Sequence, residues 1–159
     1  MNDRLPSPDP DVASIDGVMR AIYGVVSGPA GARNWDRERK LFLPEGRLLP
    51  ARPGPAGGTM GDVFDVEGYV ASRSPYFESN DFYEVEIARR TFVFGGTAHV
   101  LSAYEGMRAP GAEPFLRGIN SVQLFSDDVR WWILSIAWDN ERPGNPFPDL
   151  EGFEKVGRR

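Results

Sequence analysis

The side chains that could carry a proton at neutral pH are few in this chain. Histidine is the residue type whose ordinary pKa lies nearest neutrality. The only histidine is His99, and its strand parity is opposite to that of Ala98 and Val100. We therefore expect His99 to point away from any hollow that those apolar residues line. Asp139 ends the last strand pattern and is the alternative: a base if burial raises its pKa, or an ordinary solvated strand end.

Residue types that other catalytic chemistries need are missing or isolated. The chain has no cysteine, which excludes disulfides, thiolate nucleophiles and sulfur-ligated metals. A single histidine argues against a transition-metal site, and no glycine-rich motif has the flanking strand, helix and lysine of a phosphate loop. The net charge of −5 leaves no basic surplus for nucleic acid. We expect no metal, no cofactor and no nucleic-acid partner.

Charged residues also occur in pairs on the first long strand pattern. Glu84 and Glu86 alternate with apolar neighbours, which predicts a solvated strand face. Arg89 and Arg90 are consecutive and point to opposite faces, so one of them meets the concave side of the sheet. An arginine there would suit an anionic ligand. The sequence leaves open which of the two it is.

The elements that position these side chains follow from hydrophobic periodicity. Apolar residues at three- and four-residue steps predict a first helix over 12–26 with Asp11 as its cap, a short helix capped by Asn34, and a third helix over 65–78. A period of two then predicts four strands, over 82–94, 97–107, 116–125 and 130–140. Glycine and proline make 50–61 the most flexible internal segment. This order predicts an α+β domain in which three helices pack on a strongly curved antiparallel sheet, forming a cone with an internal pocket.

The two ends of the chain differ from this middle part. Residues 1–11 are expected to be a disordered, proline-rich lead, 12–141 the domain, and 142–159 an irregular tail. The first residues have no apolar signal segment, and nowhere do about 18 apolar residues run together. We expect a cytoplasmic protein with no membrane partner.

The last strand pattern is apolar on both faces. Trp131, Ile133 and Ala137 alternate with a second apolar set. That second set, which we expect to form a homodimer interface through the sheet face, is Trp132, Leu134, Ile136 and Trp138. The alternative is that the proline-rich tail folds over this face.

Four stretches of the chain resemble the nuclear transport factor 2-like superfamily, which includes SnoaL-like polyketide cyclases, ketosteroid isomerase and scytalone dehydratase. The order of the elements, three helices followed by long strands, is similar over residues 12–141. The similar stretches are Trp35-Asp36 with Leu41-Phe42 and Pro44-Glu45-Gly46-Arg47-Leu48, then 94–100 (FGGTAHV), 117–124 (RGINSVQL) and 130–138 (RWWILSIAW). The resemblance implies a cystatin-like α+β cone of the kind found in bacterial members with no established function.

The resemblance also implies where a site would lie. Its pocket is between the helices and the concave sheet face. Matched to ketosteroid isomerase, the helix tyrosine corresponds to Tyr23 and the acid donor to Asn120, and both can donate a hydrogen bond to a carbonyl oxygen. The catalytic base falls near Pro50, which cannot take a proton. A structural interpretation is also open: Tyr23 as a buried residue with one satisfied hydroxyl, and Asn120 as a bridge to a loop or water.

The predicted site combines these candidates. Catalytic roles are assigned to Tyr23, Asn120 and Asp139. The expected ligand contacts are Trp35, Tyr69, Tyr104, Trp131 and Ser135. The predicted function is binding of a small, mostly apolar molecule, with cofactor-independent isomerisation, dehydration or cyclisation as one hypothesis. A non-catalytic binding or dimerisation domain is the other.

Overall fold

The computed structural model describes residues 9–157 and contains helices packed against one curved sheet. The helices are α1 Ile15–Val26, α2 Trp35–Arg39 and α3 Val66–Ser79. The strands are β1 Phe42–Pro53, β2 Thr59–Gly61, β3 Tyr83–Phe94, β4 Thr97–Met107, β5 Leu116–Ser126, β6 Trp131–Asn140 and β7 Glu154–Lys155. The α+β prediction is confirmed. The first eight residues of the predicted lead and the last two of the predicted tail lie outside the described residues.

The helices begin at polar caps. The Asn34 side chain accepts a hydrogen bond from the backbone N–H of Arg37, so the predicted cap of α2 is confirmed. The predicted cap of α1 is wrong: Ser14, not Asp11, accepts from the N–H of Gly17. The Asp11 carboxylate instead pairs with the Arg37 guanidinium at 2.8 Å. That ion pair joins the segment before α1 to α2. No helix in residues 9–157 is both long and apolar enough to cross a membrane.

The sheet runs in the order β2-β1-β6-β5-β4-β3-β7. All neighbouring strands are antiparallel except β1 and β6, which are parallel. The segment predicted to be most flexible, 50–61, is in fact mostly strand, because β1 continues to Pro53 and β2 returns beside it. The turn between them depends on Gly57 and Gly58, whose φ angles of 89° and 72° favour glycine. At the opposite edge β7 pairs with β3, so part of the predicted irregular tail joins the sheet.

A β-bulge in β6 corrects the predicted dimer face. Ile133 pairs with Leu124 and Ser135 with Gln123, so Leu134 is an extra residue without a partner. An extra residue reverses the alternation of side chains beyond it. Ile133 and Ile136 are therefore both buried, whereas Leu134 is 46% exposed. Of the predicted outer set, Ile136 and Trp138 instead face the interior.

A second bulge, at Ile87 in β3, decides which charged residues face inward. Glu86 pairs with Tyr104, and Ala88 pairs with Ala103. The extra residue keeps Glu86 and Arg89 on the concave side. Glu84 and Glu86 precede this bulge, and the solvated face predicted for them is wrong: the Glu86 side chain is almost fully buried, and Glu84 lines the interior hollow.

The main core lies between α1 and the concave side of the sheet. Its most buried members come from α1, β1, β4, β5 and β6 and include Val18, Met19, Leu48, Val100, Val122 and Ile133. A smaller cluster joins α1 to α3 and the start of β3 through Val26, Phe77 and Phe82. Residues of both clusters line one interior hollow.

Candidate functional site

The interior hollow is a cavity of about 360 Å³ between α1, α2, α3 and the concave face of the sheet. This volume is near the lower end of the range of roughly 300–1,000 Å³ for small-molecule sites. Much of the wall is apolar or aromatic, with contributions from Ile22, Leu48, Tyr69, Phe77, Ile136 and Trp138. The cavity therefore suits a small and mostly apolar ligand. Its polar groups determine what could be done to that ligand.

Glu38 is the most unusual polar group in this wall. It lies on α2, is only 3% exposed, and lines the cavity. Its Oε2 atom is buried without a hydrogen-bond partner among residues 9–157. Burial raises the pKa of its carboxyl to about 8, because the charged form loses hydration without gaining a partner.

The short helix α2 explains why this acid points inward. Trp35 packs edge-on against Tyr69 and also contacts Phe77, which anchors the helix on α3. Glu38 lies three residues after Trp35 and so shares its inner face. Asp36 is on the outer side, where its side chain is 92% exposed. The packing of one aromatic residue thus directs a carboxyl into the hollow.

Glu84, on β3, is a second acid in the same wall. Burial and, to a smaller extent, the nearby charge of Glu38 together raise the pKa of its carboxyl to about 8. Two carboxyls that interact in this way cannot both ionise easily. Near neutral pH the pair therefore holds at least one proton and can act as both acid and base.

The hydroxyl of Tyr69, on α3, lies within electrostatic reach of both acids. Burial raises its pKa well above the usual range, and the charges of Glu38 and Glu84 add to this rise. The Tyr69 hydroxyl makes no hydrogen bond with any residue in the described range, and it lines the cavity. It is therefore a protonated donor that is available to a ligand.

Tyr23 and Asn120 lie together, but their hydrogen bonds lead away from the cavity. The Asn120 Nδ2 atom donates to the Tyr23 hydroxyl at 3.1 Å. The Ser102 hydroxyl donates to Glu86 Oε1 at 2.6 Å, so the contact of 2.6 Å between Tyr23 and Ser102 has Tyr23 as its donor. Arg89 then binds both carboxylate oxygens of Glu86. We call this series the inner polar chain. The Tyr23 hydroxyl proton is already used within it.

The other predicted site residues lie in several places. Tyr104 lines the cavity, and its hydroxyl donates to Asn140 Oδ1 at 2.6 Å. Asp139 lies outside the cavity wall and pairs with Arg142. Burial raises the Asp139 pKa, but hydrogen bonds from Arg142 and from the N–H of Asn140 outweigh this effect and lower it.

Trp131, Ser135 and His99 are also outside the cavity wall. Trp131 packs against the main core, and its backbone N–H donates to the carbonyl of Val12. Ser135 follows the bulge of β6 and faces outward with its β5 partner Gln123. The Nε2 atom of His99 lies 2.9 Å from the Ser121 hydroxyl on the outer face of the sheet.

Comparison with known proteins identifies the fold and no closer relationship. No family model and no curated relative matches the chain. Solved structures match over most of their length. A protein of unknown function with a cystatin-like fold from Nostoc punctiforme has a TM-score of 0.58 and 8% identity, covering 78% of this chain and 88% of the other. A proposed dehydratase of the NTF2-like family from Streptomyces avermitilis has a TM-score of 0.57 and 15% identity, covering 86% of this chain and 99% of the other.

A proposed ketosteroid isomerase from Parabacteroides distasonis has a TM-score of 0.54 and 9% identity, covering 88% of this chain and 97% of that one. This chain has the NTF2-like fold. Further structures with the same fold, such as one from Silicibacter pomeroyi, are of unknown function. At these identities the likeness describes the backbone and does not extend to the site.

Within the NTF2-like fold, the acids of this chain come from positions that the sequence comparison did not indicate. Pro50, the position matched to the isomerase base, does line the cavity. The acids are supplied instead by Glu38 on α2 and Glu84 on β3. Two sequence signals could have indicated them: Glu38 lies three residues after Trp35 on a helix, and Glu84 shares strand parity with Phe82.

Proposed function

We propose that this protein binds a small, mostly apolar molecule in the cavity and moves a proton on it without a cofactor, as an isomerase or a dehydratase does. The observation that carries this proposal is the buried carboxyl of Glu38, a residue of the cavity wall whose Oε2 atom has no hydrogen-bond partner in the described part of the chain. An acid with a pKa of about 8 is well suited to general acid–base catalysis near neutral pH.

The arrangement supports a simple proton transfer. The ionised carboxylate of Glu38 removes a proton from a carbon beside a carbonyl group. The carbonyl oxygen gains negative charge and accepts a hydrogen bond from the Tyr69 hydroxyl. The protonated Glu84 delivers a proton to a second carbon, which completes an isomerisation, or to a hydroxyl group, which leaves as water. Transfer of the first proton from Glu38 to Glu84 restores the starting state.

Deuterium exchange and isomerisation test this proposal directly. Small β,γ-unsaturated ketones would be incubated with the protein in heavy water, with isotope incorporation followed by NMR and conjugation by absorbance. We expect Glu38→Gln to lower the rate by about a hundredfold or more. The matched control is Glu45→Gln, which changes an exposed glutamate of the adjoining β1 strand.

Two outcomes would contradict the catalytic proposal. One is that the wild-type protein binds ketones and exchanges no carbon-bound proton. The other is that exchange persists in Glu38→Gln at the rate of the control. Either outcome would favour the non-catalytic binding domain, because the cavity would then hold a ligand without acting on it.

We also propose that the protein self-associates through the outer face of the sheet. Phe92 and Phe94 on β3 are 74% and 80% exposed, and Phe125 and Leu134 are exposed on the same side. Large exposed apolar patches favour association. Sedimentation of the wild type should give a dimer, and a double change of Phe92→Ser with Phe94→Ser should give a monomer with unchanged circular dichroism. A wild type that stays monomeric at high concentration would contradict this proposal.

A further inference from the structure

The cavity wall contains a cation with no hydrogen-bonded or ion-paired acid among the described residues. Arg73, on α3, is half-buried and lines the cavity. It forms no hydrogen bond and no ion pair within 4.0 Å with any residue in the range 9–157. The other arginine in this wall, Arg52, is bound to Asp62 with an Nε–Oδ2 distance of 3.0 Å. Arg73 is thus a guanidinium placed beside a cavity with its donors unused.

Arg73 lies within electrostatic reach of the exposed ion pair between Arg52 and Asp62, and both arginines line the cavity. The charge of Arg73, together with that of Arg52, acts on the carboxyl of Asp62 and lowers the pKa of that group. The side chains of Arg52 and Asp62 are both more than a third exposed, so this part of the cavity wall is in contact with solvent. Two guanidinium groups and one carboxylate leave a single positive charge there. An entering anion would meet it first.

Helix α3 connects this charge with the two acids. Tyr69 and Arg73 are four residues apart and lie on one face of the helix. The charges of Glu38 and Glu84 raise the pKa of the Tyr69 hydroxyl, and the charge of Arg73 lowers it. All three charged groups are therefore within electrostatic reach of one hydroxyl. A small molecule bound to Arg73 would lie beside Tyr69 and extend towards the acids.

The charge balance of the cavity also favours an anion. Below about pH 8 both acids hold protons for most of the time, because burial raises their pKa values. The two acids then contribute little charge to the cavity, and the positive charge of Arg73 determines the sign of the electrostatic potential there. A neutral ligand would leave the guanidinium donors without a partner, whereas a carboxylate can accept two of them side by side.

We propose that the ligand is a small carboxylate with an apolar body, held at the mouth of the cavity by Arg73. This inference deepens the proposed function and rests on it, since it names the substrate class of the same site. The carboxylate end stays at the mouth. The apolar body occupies the aromatic wall, and the reacting carbon lies near Glu38.

Matched pairs of acids and amides test this proposal. trans-Cinnamate with trans-cinnamamide, and hexanoate with hexanamide, would be titrated calorimetrically at about pH 6.5, where the cavity acids are protonated and the free acids are ionised. We expect each carboxylate to bind the wild type about tenfold more tightly than its amide, as for a hydrogen-bonded charge pair. Arg73→Gln should remove that preference and leave amide binding unchanged.

Two further variants separate a local contact from a general charge effect. Arg73→Lys keeps the charge and should retain part of the preference. Arg90→Gln removes the same charge from an exposed position on the outer side of β3 and should leave the preference intact. Equal affinities for acid and amide, a preference that survives Arg73→Gln, or no binding by any carboxylate of the series would overturn the proposal.

The same proteins distinguish this inference from the proposed function. Glu38→Gln should keep the Arg73-dependent preference for carboxylates while it loses proton exchange. If carboxylates bind through Arg73 and the wild type exchanges no proton on any of them, the catalytic proposal fails and the ligand class stands. If exchange occurs on neutral ketones with no preference for acids, the catalytic proposal stands and the carboxylate proposal fails.

Discussion

Two groups of buried polar side chains lie on the concave side of this sheet, and their hydrogen bonding differs. The inner polar chain runs from Asn120 to Arg89, and each step is a hydrogen bond of ordinary length. Around the cavity, by contrast, the carboxyl of Glu38 and the hydroxyl of Tyr69 lack partners in the described part of the chain. Satisfied buried groups contribute to a rigid fold, whereas unsatisfied ones store free energy that a ligand can release.

Tyr23 and Tyr69 differ in the same way, because only one of the two hydroxyls is used within the described part of the protein. By residue type and position Tyr23 is the natural candidate for polarising a carbonyl oxygen, yet its hydroxyl already donates one hydrogen bond and accepts another. The hydroxyl of Tyr69 has no hydrogen-bond partner among residues 9–157, and the charges of two acids act on it. Residue type alone therefore does not distinguish a structural tyrosine from an available one. Its partners do.

The largest effect should come from breaking the inner polar chain. Glu86→Ala leaves the largely buried guanidinium of Arg89 with only the exposed carboxylate of Asp16 as a partner, and we expect the free energy of unfolding to fall by about 3–5 kcal/mol. Glu38→Gln should change it by less than about 1 kcal/mol at pH 6, because the acid it replaces is neutral there. Urea denaturation measures both. Similar losses in the two variants would contradict the distinction between the two groups.

A smaller effect should appear in the pH dependence of stability. The pKa of Glu38 is about 8 in the folded protein and 4.5 in the reference state, so the folded state binds more protons between these values. Its contribution to stability is fully present below the unfolded pKa and is lost as pH rises through the folded one. We expect the free energy of unfolding to fall by about 2–3 kcal/mol between pH 6 and pH 9 for each such carboxyl.

Urea denaturation across this pH range provides the measurement. Glu38→Gln should remove its own part of the slope and some of the part due to Glu84, since the charge of Glu38 helps to raise the Glu84 pKa. A wild type whose stability is flat from pH 6 to pH 9 would mean that neither acid is buried in solution as it is in the structure.

The smallest effects should separate the two tyrosines. Tyr23→Phe removes a donor from the inner polar chain and should lower the free energy of unfolding by about 1 kcal/mol, with proton exchange little changed. Tyr69→Phe should leave stability nearly unchanged, because its hydroxyl has no partner in the part of the chain that the structure describes, and should lower the exchange rate about tenfold. The two variants remove the same atom, so each serves as the control for the other. A reversal of these effects would assign the donor role to Tyr23.

Much of the fold could be predicted because it depends on local patterns. The strand pattern over 97–107 agrees with β4, and the cap at Asn34 follows from its side chain. The outward direction of His99 follows from simple alternation along a strand without a bulge. Periodicity and capping act within a few residues, and those residues are adjacent in the sequence.

The candidate site could be predicted only in part, because it depends on positions where a local rule is broken. Tyr69, Tyr104 and Asn120 line the cavity, and all three were candidates by type and position. The acids were missed: Glu84 belonged to an alternation that suggested a solvated face, and Glu38 to a helix rich in charge. Each acid shares a face with an aromatic residue, Trp35 or Phe82, but this spacing does not say how far from water the carboxyl lies, because burial is set by elements distant in sequence.

By itself the sequence determined the order of the elements and the curved α+β architecture. Only the tertiary structure decided which of the many carboxyl groups of the chain face the cavity. The bulges at Ile87 and Leu134 reverse the side-chain alternation partway along two strands, and the packing of Trp35 on Tyr69 turns Glu38 inward. The physical reason is that a bulge depends on pairing between strands, and burial depends on what packs above them, so neither is encoded in the spacing of nearby residues.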